Sequence, residues 1–337
     1  MTESLDFALH WQSNALQNDA CMKPAERAVR VDKFLAEAMP LIPVMGFVLG
    51  VFLSRVFLGL QPFVPWLFGT MTLAGALRLR ARELGMAASS PLPFLLYLFT
   101  TRILIISVVF IVSRLIIKDD PNTISGFVLM YSVPAAVSSF IWVSVLKGDP
   151  AFSLALILLD TILAPFVVPG TVQLLLGAKI SLDMTGMALS LMYMVVIPTI
   201  VGVTLNETSK GKIPDLVCPW LSPLSKLCLV IVIAANSAAV APLIRPDNPT
   251  VWIVVIMCIC FNIFCLVCGR IMGGLGKLDK QKQITFFLTS GLRNYSAAMV
   301  LGIQFFPVAA AMPAVLGIMT QHVLAGTVGR FLAKKSK

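Results

Sequence analysis

Long apolar runs dominate the chain, and short segments between them hold nearly all of its charged residues. A helix needs about 20 consecutive apolar residues to cross the hydrocarbon core of a bilayer. Turn-forming segments at 61–62, 147–150 and 306–307 divide runs that are long enough for more than one such helix. The pattern predicts ten membrane spans, at 39–59, 63–79, 93–115, 123–146, 151–176, 184–205, 223–244, 250–272, 283–304 and 308–331.

The composition indicates an all-α polytopic membrane protein. Of 337 residues, 58% are hydrophobic and only 12% are charged, against about 25% charged in an ordinary soluble domain. The mean hydropathy is +0.91. These values argue against a soluble enzyme, a disordered chain and a secreted disulfide scaffold. The net charge of +10 could suggest nucleic acid, but the charges lie in the gaps between apolar runs, so we expect a lipid bilayer as partner and no nucleic acid.

The basic residues favour an even number of spans with both ends of the chain in the cytoplasm. With the N-terminus placed inside, the basic residues that fall outside are Arg55, Arg114, Lys118, Lys179 and Arg245. Arg102 and Arg293 lie well within spans. The other 19 of the 26 Lys and Arg residues fall on the cytoplasmic side. Inside loops of membrane proteins are enriched in Lys and Arg. The sequence therefore predicts a multi-pass protein of the plasma (inner) membrane with both termini cytoplasmic.

Ten spans can form two halves of five, and an odd number of spans inverts the second half relative to the first. The predicted halves are 39–176 and 184–332, flanked by a cytoplasmic segment 1–38, with a candidate interfacial helix at 24–37, and a basic tail at 333–337. Pro134 interrupts span four, and Gly291 interrupts span nine at the corresponding place. Matched interruptions in inverted halves are typical of the transport site of a secondary transporter.

Three ionisable residues at predicted membrane depth are candidates for function. Arg293 follows the interruption in span nine, and either binds an anionic substrate or is an internal cation paired with an acid. Asp160 in span five is either a carboxylate that couples transport to a proton or cation, or a structural partner of Arg293 or Arg102. Arg102, early in span three, either faces a cavity or extends its side chain to the interface.

Neutral polar residues add candidates in the later spans. Gln321 and His322 in span ten are expected to line a substrate cavity, and His322 could titrate near neutral pH. Asn262 in span eight is better explained by a hydrogen bond between helices. Cys265 and Cys268 are explained as small core residues and not as a metal or redox pair. No cofactor is expected.

Several short motifs are spread between about residue 39 and 332. They comprise Pro-Trp-Leu-Phe-Gly at 65–69, Val-Pro at 133–134 followed by Ser138 and Ser139, Lys-Gly-Asp at 147–149, Phe-Ser at 152–153, Leu-Ala-Pro at 163–165, Ser-Gly-Leu-Arg-Asn-Tyr-Ser-Ala-Ala at 290–298, and Gln-His at 321–322. Together these motifs resemble the bile acid:sodium symporter family. The resemblance implies ten helices in a panel domain and a core domain, with broken spans four and nine crossing in the core. It also implies transport of organic anions by alternating access, often with sodium.

The chain departs from the sodium-driven members of this family at several positions, one of which holds a sodium-liganding threonine in those members. Pro-Ala-Ala at 134–136 replaces Pro-Gly-Gly, Phe140 replaces an Asn, and Ile157 replaces a Thr. Thr289 replaces an acid, and Arg293 replaces a Gln; Ser139 and Ser153 are retained, and the span-three glutamine position falls on Thr101 or one residue away. The sodium site is therefore predicted to be degraded. Ser139, Ser153, Thr289 and Asp160 remain the candidates for ion or proton coupling.

The sequence predicts a secondary transporter for a small organic anion, with Ser138, Ser139, Arg293, Asn294, Gln321 and His322 contacting the substrate. A conventional sodium symporter and an auxin-efflux-type carrier are the near alternatives. A channel is disfavoured because matched breaks favour alternating access. An enzyme is disfavoured because intramembrane hydrolases need a nucleophile–base pair or an acid pair, and Asp160 is the one acid well inside a predicted span. The sequence gives no indication of the oligomeric state.

Overall fold

The computed structural model describes residues 24–39, 41–80, 82, 85, 91–177 and 183–335. Within these residues every regular element is helical, and the one extended feature is an isolated bridge between Ala135 and Arg293. The α-helices are α1 Pro24–Glu37, α2 Ile42–Phe52, α3 Ser54–Leu58, α4 Val64–Ala76, α5 Pro91–Leu98, α6 Ile105–Ile116, α7 Pro121–Ser132, α8 Ser138–Val145, α9 Pro150–Leu176, α10 Met184–Leu191, α11 Ile197–Thr208, α12 Lys212–Val240, α13 Pro249–Leu275, α14 Lys280–Gly291, α15 Tyr295–Phe305 and α16 Met312–Lys335.

Three of the helices begin with the same N-terminal cap. Asp120, Asp149 and Asn248 each precede a proline, and each side chain accepts a hydrogen bond from a backbone N–H in the first turn. Proline is favoured at the first helical position because its missing N–H would have no partner there. The capping oxygen satisfies one of the donors that a helix start leaves free. These caps fix where α7, α9 and α13 begin.

Each of the ten predicted spans coincides with helical segments, although only six continuous stretches in the described chain are long and apolar enough to cross a membrane alone. Segments of π-helix, Phe99–Leu104 and Met192–Val196, join α5 to α6 and α10 to α11. The predicted start of span seven at 223 is wrong for the helix, because α12 begins at Lys212 and runs through Pro219 and Pro223. The preceding Gly211 has a φ of +87°, a conformation that glycine adopts without strain.

The helices pack in two groups. One group contains α1–α4, α11 and α12, and α12 packs along α2 and α4. The other contains α5–α9 and α13–α16, in which α13 packs along α14 and α16. Gly50 of α2 lies so close to Ala234 of α12 that a side chain at residue 50 would overlap the Ala234 carbonyl. The candidate site lies at the seam between the two groups.

Candidate functional site

Two interrupted helices meet in the second group. Residues 133–137 separate α7 from α8, and residues 292–294 separate α14 from α15. The two breaks are joined by backbone hydrogen bonds, because the Ala136 N–H donates to the Leu292 carbonyl at 2.9 Å and the Asn294 N–H donates to the Pro134 carbonyl at 2.9 Å. Breaks were predicted at Pro134 and Gly291, and Gly291 is the last residue of α14. Non-helical backbone at membrane depth needs such internal partners.

Asp160 of α9 lies beside this junction and is fully buried. Its Oδ2 accepts hydrogen bonds from the Ala135 N–H at 2.8 Å, from Arg293 Nη1 at 3.0 Å and from the Tyr97 hydroxyl at 3.2 Å. Its Oδ1 is paired with Arg102. We refer to Arg102, Asp160 and Arg293 as the ion cluster. The ion cluster holds two guanidinium groups and one carboxylate, so it carries a net charge of +1.

Arg102 lies in the π-helical segment Phe99–Leu104. Its guanidinium donates to the Ser132 carbonyl at the end of α7 and to Asp160, and its side chain is only 8% exposed. Of the two interpretations for Arg102, these contacts do not match extension towards the membrane interface, and Arg102 does not line the cavity described below. Desolvating a guanidinium is costly, and the acid and the free carbonyl at the end of α7 compensate for that cost. Local π-helical geometry is frequently found at functional positions.

Arg293 is held at both its side chain and its backbone. Nη1 contacts Asp160 and the Tyr97 hydroxyl, the latter at 3.2 Å, and the residue is 1% exposed. The Gln321 side chain accepts from the Arg293 N–H at 3.0 Å and donates to the Arg293 carbonyl at 3.1 Å. Of the two interpretations for Arg293, these contacts match the internal cation paired with an acid. Its use in binding substrate remains a prediction.

A cavity of about 360 Å³ reaches the junction from the seam between the helix groups. Ser138, Arg293, Asn294 and Gln321 line it, as does the start of α15. Its remaining walls are mostly apolar. They include Phe68, Met71, Phe140, Ile141, Leu154 and Leu229. Of the predicted substrate-binding residues, Ser139 does not line the cavity, and the His322 side chain lies outside the described residues.

The predicted coupling residues lie behind the cavity wall. Ser139, Ser153 and Thr289 are fully buried, and their hydroxyl groups have no hydrogen-bond partner within the described chain, a property that they share with Ser290. Ile157, at the position where the resemblance places a sodium-binding threonine, is also fully buried. Among the described residues no group of His, Cys, Asp and Glu could hold a metal ion. These four hydroxyl groups lie near the starts of α8 and α9 and at the end of α14.

Sequence reasoning missed the charged residues that line the cavity on the side of α1, α4 and α12. Asp32 of α1, Arg78 and Lys226 of α12 line it, and Lys226 is paired with Asp32. Lys226 falls inside the predicted span 223–244, which was a usable signal. Asp32 could not have been found from the sequence, because its proximity to Lys226 arises from the packing of α1 against α12. Tyr97 was missed as well, because a single tyrosine in an apolar helix is ordinary.

Comparison with known proteins gives the same picture as the geometry. The profile of the SBF-like CPA transporter family matches residues 69–337. The chain belongs to the SBF-like CPA transporter family. It is 36% identical over 294 residues to the uncharacterized protein YbaS of Bacillus subtilis (strain 168), covering 87% of this chain and 96% of YbaS.

Two plant proteins are more distant relatives. A probable sodium/metabolite cotransporter of Arabidopsis thaliana, BASS1 of the chloroplast, is 24% identical over 324 residues, covering 94% of this chain and 78% of the relative. The chloroplastic BASS3 of Oryza sativa, also a probable sodium/metabolite cotransporter, is 24% identical over 209 residues, covering 61% of this chain and 49% of the relative. The resemblance to sodium symporters that was found in the sequence is thereby confirmed.

Membership in the SBF-like CPA transporter family establishes the general class of the protein. The chain is a multi-pass membrane transporter in a lipid bilayer, its substrate is a small molecule, and the prediction that it is not an enzyme is confirmed. Within this family member, the junction of the two breaks, the ion cluster and the cavity form one continuous candidate site.

Proposed function

We propose that the protein is a secondary active transporter that moves a small organic anion, with at least one carboxylate, by alternating access. The proposal rests chiefly on the ion cluster, which places a buried charge of +1 behind a cavity with largely apolar walls. A fixed positive charge in a poorly hydrated site attracts an anion far more strongly than the same charge in water. A small acid with an apolar body matches both features of the cavity.

The starts of two helices supply direct contacts for the anion. Ser138 at the start of α8 and Ser296 in the first turn of α15 both line the cavity. Helix N-termini present unpaired N–H groups and the positive end of the helix dipole to an anion. Ser138 and Asn294 add side chains that can donate hydrogen bonds. In this proposal Arg293 acts on the substrate through its charge. Asp160 and Tyr97 already engage its Nη1, whereas its Nε has no partner within the described chain.

The ion cluster takes the place of coupling sodium ions. Arg293 stands where the resemblance places a glutamine, and a guanidinium close to a cation repels it by several kcal/mol in a site of low dielectric constant (about 4 kcal/mol at 4 Å for an effective dielectric constant of 20). Asp160 is the counter-ion of two arginines. Protonating Asp160 would leave both guanidinium groups without an acid, so its contacts favour the structural role over proton coupling.

The arrangement of helices supports an inverted repeat with moving parts. In this proposal spans one to five and six to ten are the two halves, and the group of α1–α4, α11 and α12 is the panel against which the other group moves. Pro134 and Gly291 end helices at matching places in spans four and nine. The excess of basic residues inside supports location in the plasma (inner) membrane with both termini cytoplasmic.

A conventional sodium symporter is the second candidate, and one observation favours it. The hydroxyl oxygens of Ser139, Ser153, Thr289 and Ser290 are buried and without partners in the described chain. Buried polar atoms normally have hydrogen-bond partners or bind an ion or water. Sodium would use such oxygens, but in this candidate Asp160 would have to supply the negative charge that it now shares with two arginines.

The melting temperature of the purified protein separates the two candidates. It is measured in detergent in sodium and in choline salts at equal ionic strength and several pH values, with and without a panel of carboxylates. A ligand at a hundredfold excess over its Kd stabilises by about 2.7 kcal/mol. We expect no difference between sodium and choline, and a saturable increase with carboxylates. A saturable increase that is specific to sodium would support the sodium symporter and contradict our proposal.

A further inference from the structure

A second group of charged residues lines the cavity on the side of α1, α4 and α12. Lys226 and Ser222 share one face of α12, Arg78 follows the end of α4, and Asp32 reaches them from α1. The Lys226 ammonium donates to the Asp32 carboxylate and, at 3.1 Å, to the Asp32 carbonyl. Arg78 donates to the Ser222 hydroxyl at 3.1 Å. We refer to Arg78, Ser222 and Lys226 as the mouth site.

Asp32 and Arg78 also line a neighbouring cavity of about 420 Å³. No residue of the junction lines this second cavity. These two residues therefore form part of the partition between the two cavities. A solute that moved from the neighbouring cavity to the junction along this route would pass the mouth site.

Lys226 is a buried cation whose described hydrogen bonds all go to one residue. It is 9% exposed, and both of its acceptors belong to Asp32. Removing the partner of a buried charge leaves that charge uncompensated, which costs several kcal/mol. If Asp32 moved away, an anion in the cavity that Lys226 lines could take its place and restore the ion pair. The mouth site is therefore already bound to a carboxylate, and that carboxylate belongs to the chain itself.

The charges around Asp32 keep it in the form that the mouth site binds. Burial raises the pKa of the Asp32 carboxyl. Hydrogen bonds from Lys226 and Ser222 and the positive charges of Lys226 and Arg78 lower the pKa by more than burial raises it, so it lies below its ordinary value. Asp32 is thus ionised at neutral pH. A carboxylate of a ligand would find the same donors in the same places.

The mouth site and the junction line one cavity of about 360 Å³, so one ligand can contact both. Gly75 of α4 lies against Val137 in the break between α7 and α8, and Arg78 follows Gly75 by three residues, just after the end of α4. Between the two regions the walls are apolar, with Met71, Phe140 and Leu154 among them. The cavity therefore offers positive charge in two places and apolar surface between them.

We propose that the substrate is a short dicarboxylate, with one carboxylate at the helix starts of the junction and the other at the mouth site, where it displaces Asp32 from Lys226. This inference rests on the proposed function and adds the class of substrate. The exchange replaces one carboxylate on Lys226 with another, so it leaves no buried charge unpaired. Asp32 is then an internal competitor of the substrate.

The test compares a dianion with a monoanion of the same shape. Adipate and monomethyl adipate are titrated against the purified protein, with the melting temperature as the readout. In the unchanged protein we expect adipate to bind about ten-fold or more tightly than its monomethyl ester, because only adipate has a second carboxylate that can accept charge-assisted hydrogen bonds from the mouth site. Lys226→Met should remove this preference by weakening adipate only. Asp32→Asn should tighten adipate, because the internal competitor is then neutral.

Asp279 and Lys282 provide matched controls, because they form an exposed ion pair with an N···O distance of 3.2 Å outside the cavity. Lys282→Met and Asp279→Asn should leave both ligands unaffected. A purely structural role for Asp32 would make Asp32→Asn weaken or leave unchanged the binding of adipate, which would overturn the inference. Equal binding of adipate and its ester, unchanged in Lys226→Met, would also overturn it and leave the proposed function standing. If no organic anion binds the unchanged protein, the proposed function fails too.

Discussion

Asp160 connects four parts of the chain through one carboxylate. Its partners are Tyr97 in α5, Arg102 in the π-helical segment, Ala135 in the first break and Arg293 in the second. The sequence predicted that Asp160, Arg102 and Arg293 were exceptional, because each is ionisable and falls at membrane depth. It did not predict that all three pair, because pairing depends on how α9 and the π-helical segment approach the junction.

Neutralising Asp160 should destabilise the protein strongly. In Asp160→Asn two buried guanidinium groups lose their acid, and breaking buried ion pairs in this way typically costs about 3–5 kcal/mol. Asp279→Asn is the control, since this exposed side chain pairs with Lys282 at the start of α14 and exposed pairs contribute under about 1 kcal/mol. The melting temperatures of the two variants in detergent give the comparison.

A second variant tests the electrostatic reason for this prediction. Arg102→Met leaves one arginine with one acid, so it should lower the melting temperature less than Asp160→Asn does. If Asp160→Asn had the same melting temperature as the Asp279→Asn control, the ion cluster would contribute nothing to stability. The proton-coupling role of Asp160 would then again be the better hypothesis.

At the scale of elements, close backbone contacts decide how the helices pack. Gly126 of α7 faces the Ala310 carbonyl and the Pro313 ring at the start of the last span. The sequence predicted the helical spans and the breaks, because apolar length and the backbone chemistry of Pro134 act locally. It could not predict which glycines face a neighbouring backbone, and it began span seven at 223, eleven residues after the start of α12 at Lys212.

Gly126→Ala should destabilise the protein, whereas Gly170→Ala should not. A Cβ at residue 126 would overlap the Ala310 carbonyl, and overpacking costs about 1–3 kcal/mol. Apart from its chain neighbours and the backbone of its own helix, a Cβ at Gly170 of α9 would meet no atom within 4 Å, and alanine in a helix is favoured over glycine by about 0.8–1.0 kcal/mol. Melting temperatures of the two variants measure this; equal effects would contradict the packing at residue 126.

For the whole molecule, the cavity lies on the seam between two groups of helices, and each group is held together by its own contacts. The junction belongs to one group, and the mouth site is built mainly by the other. Sliding of one group along the other would therefore change access to the cavity and would separate the mouth site from the junction. The hydrophobic pattern predicted an all-helical membrane protein, whereas its count of ten spans stays a prediction. The grouping of the helices results from side-chain packing between distant segments, which periodicity alone does not encode.

The predicted orientation can be tested with single cysteines in intact cells. Lys118 and Lys210 are both exposed, after α6 and α11 respectively. The basic-residue distribution places Lys118 outside and Lys210 inside. We expect Lys118→Cys to react with a membrane-impermeant maleimide in intact cells, and Lys210→Cys to react only after permeabilisation. The chain with its native cysteines gives the background; the reverse pattern would overturn the orientation.

The ion cluster has an electrical consequence. Its positive charges belong to side chains, so they come back to their starting position at the end of each transport cycle. Bound sodium ions would instead be released on the other side of the membrane together with the substrate. In the proposed mechanism each cycle therefore transfers the full negative charge of the substrate. A membrane potential of 100 mV acts on each elementary charge with about 2.3 kcal/mol, roughly a fifty-fold ratio in concentration. In a cell with a negative interior, this voltage drives an organic anion outward, so the transporter is suited to export.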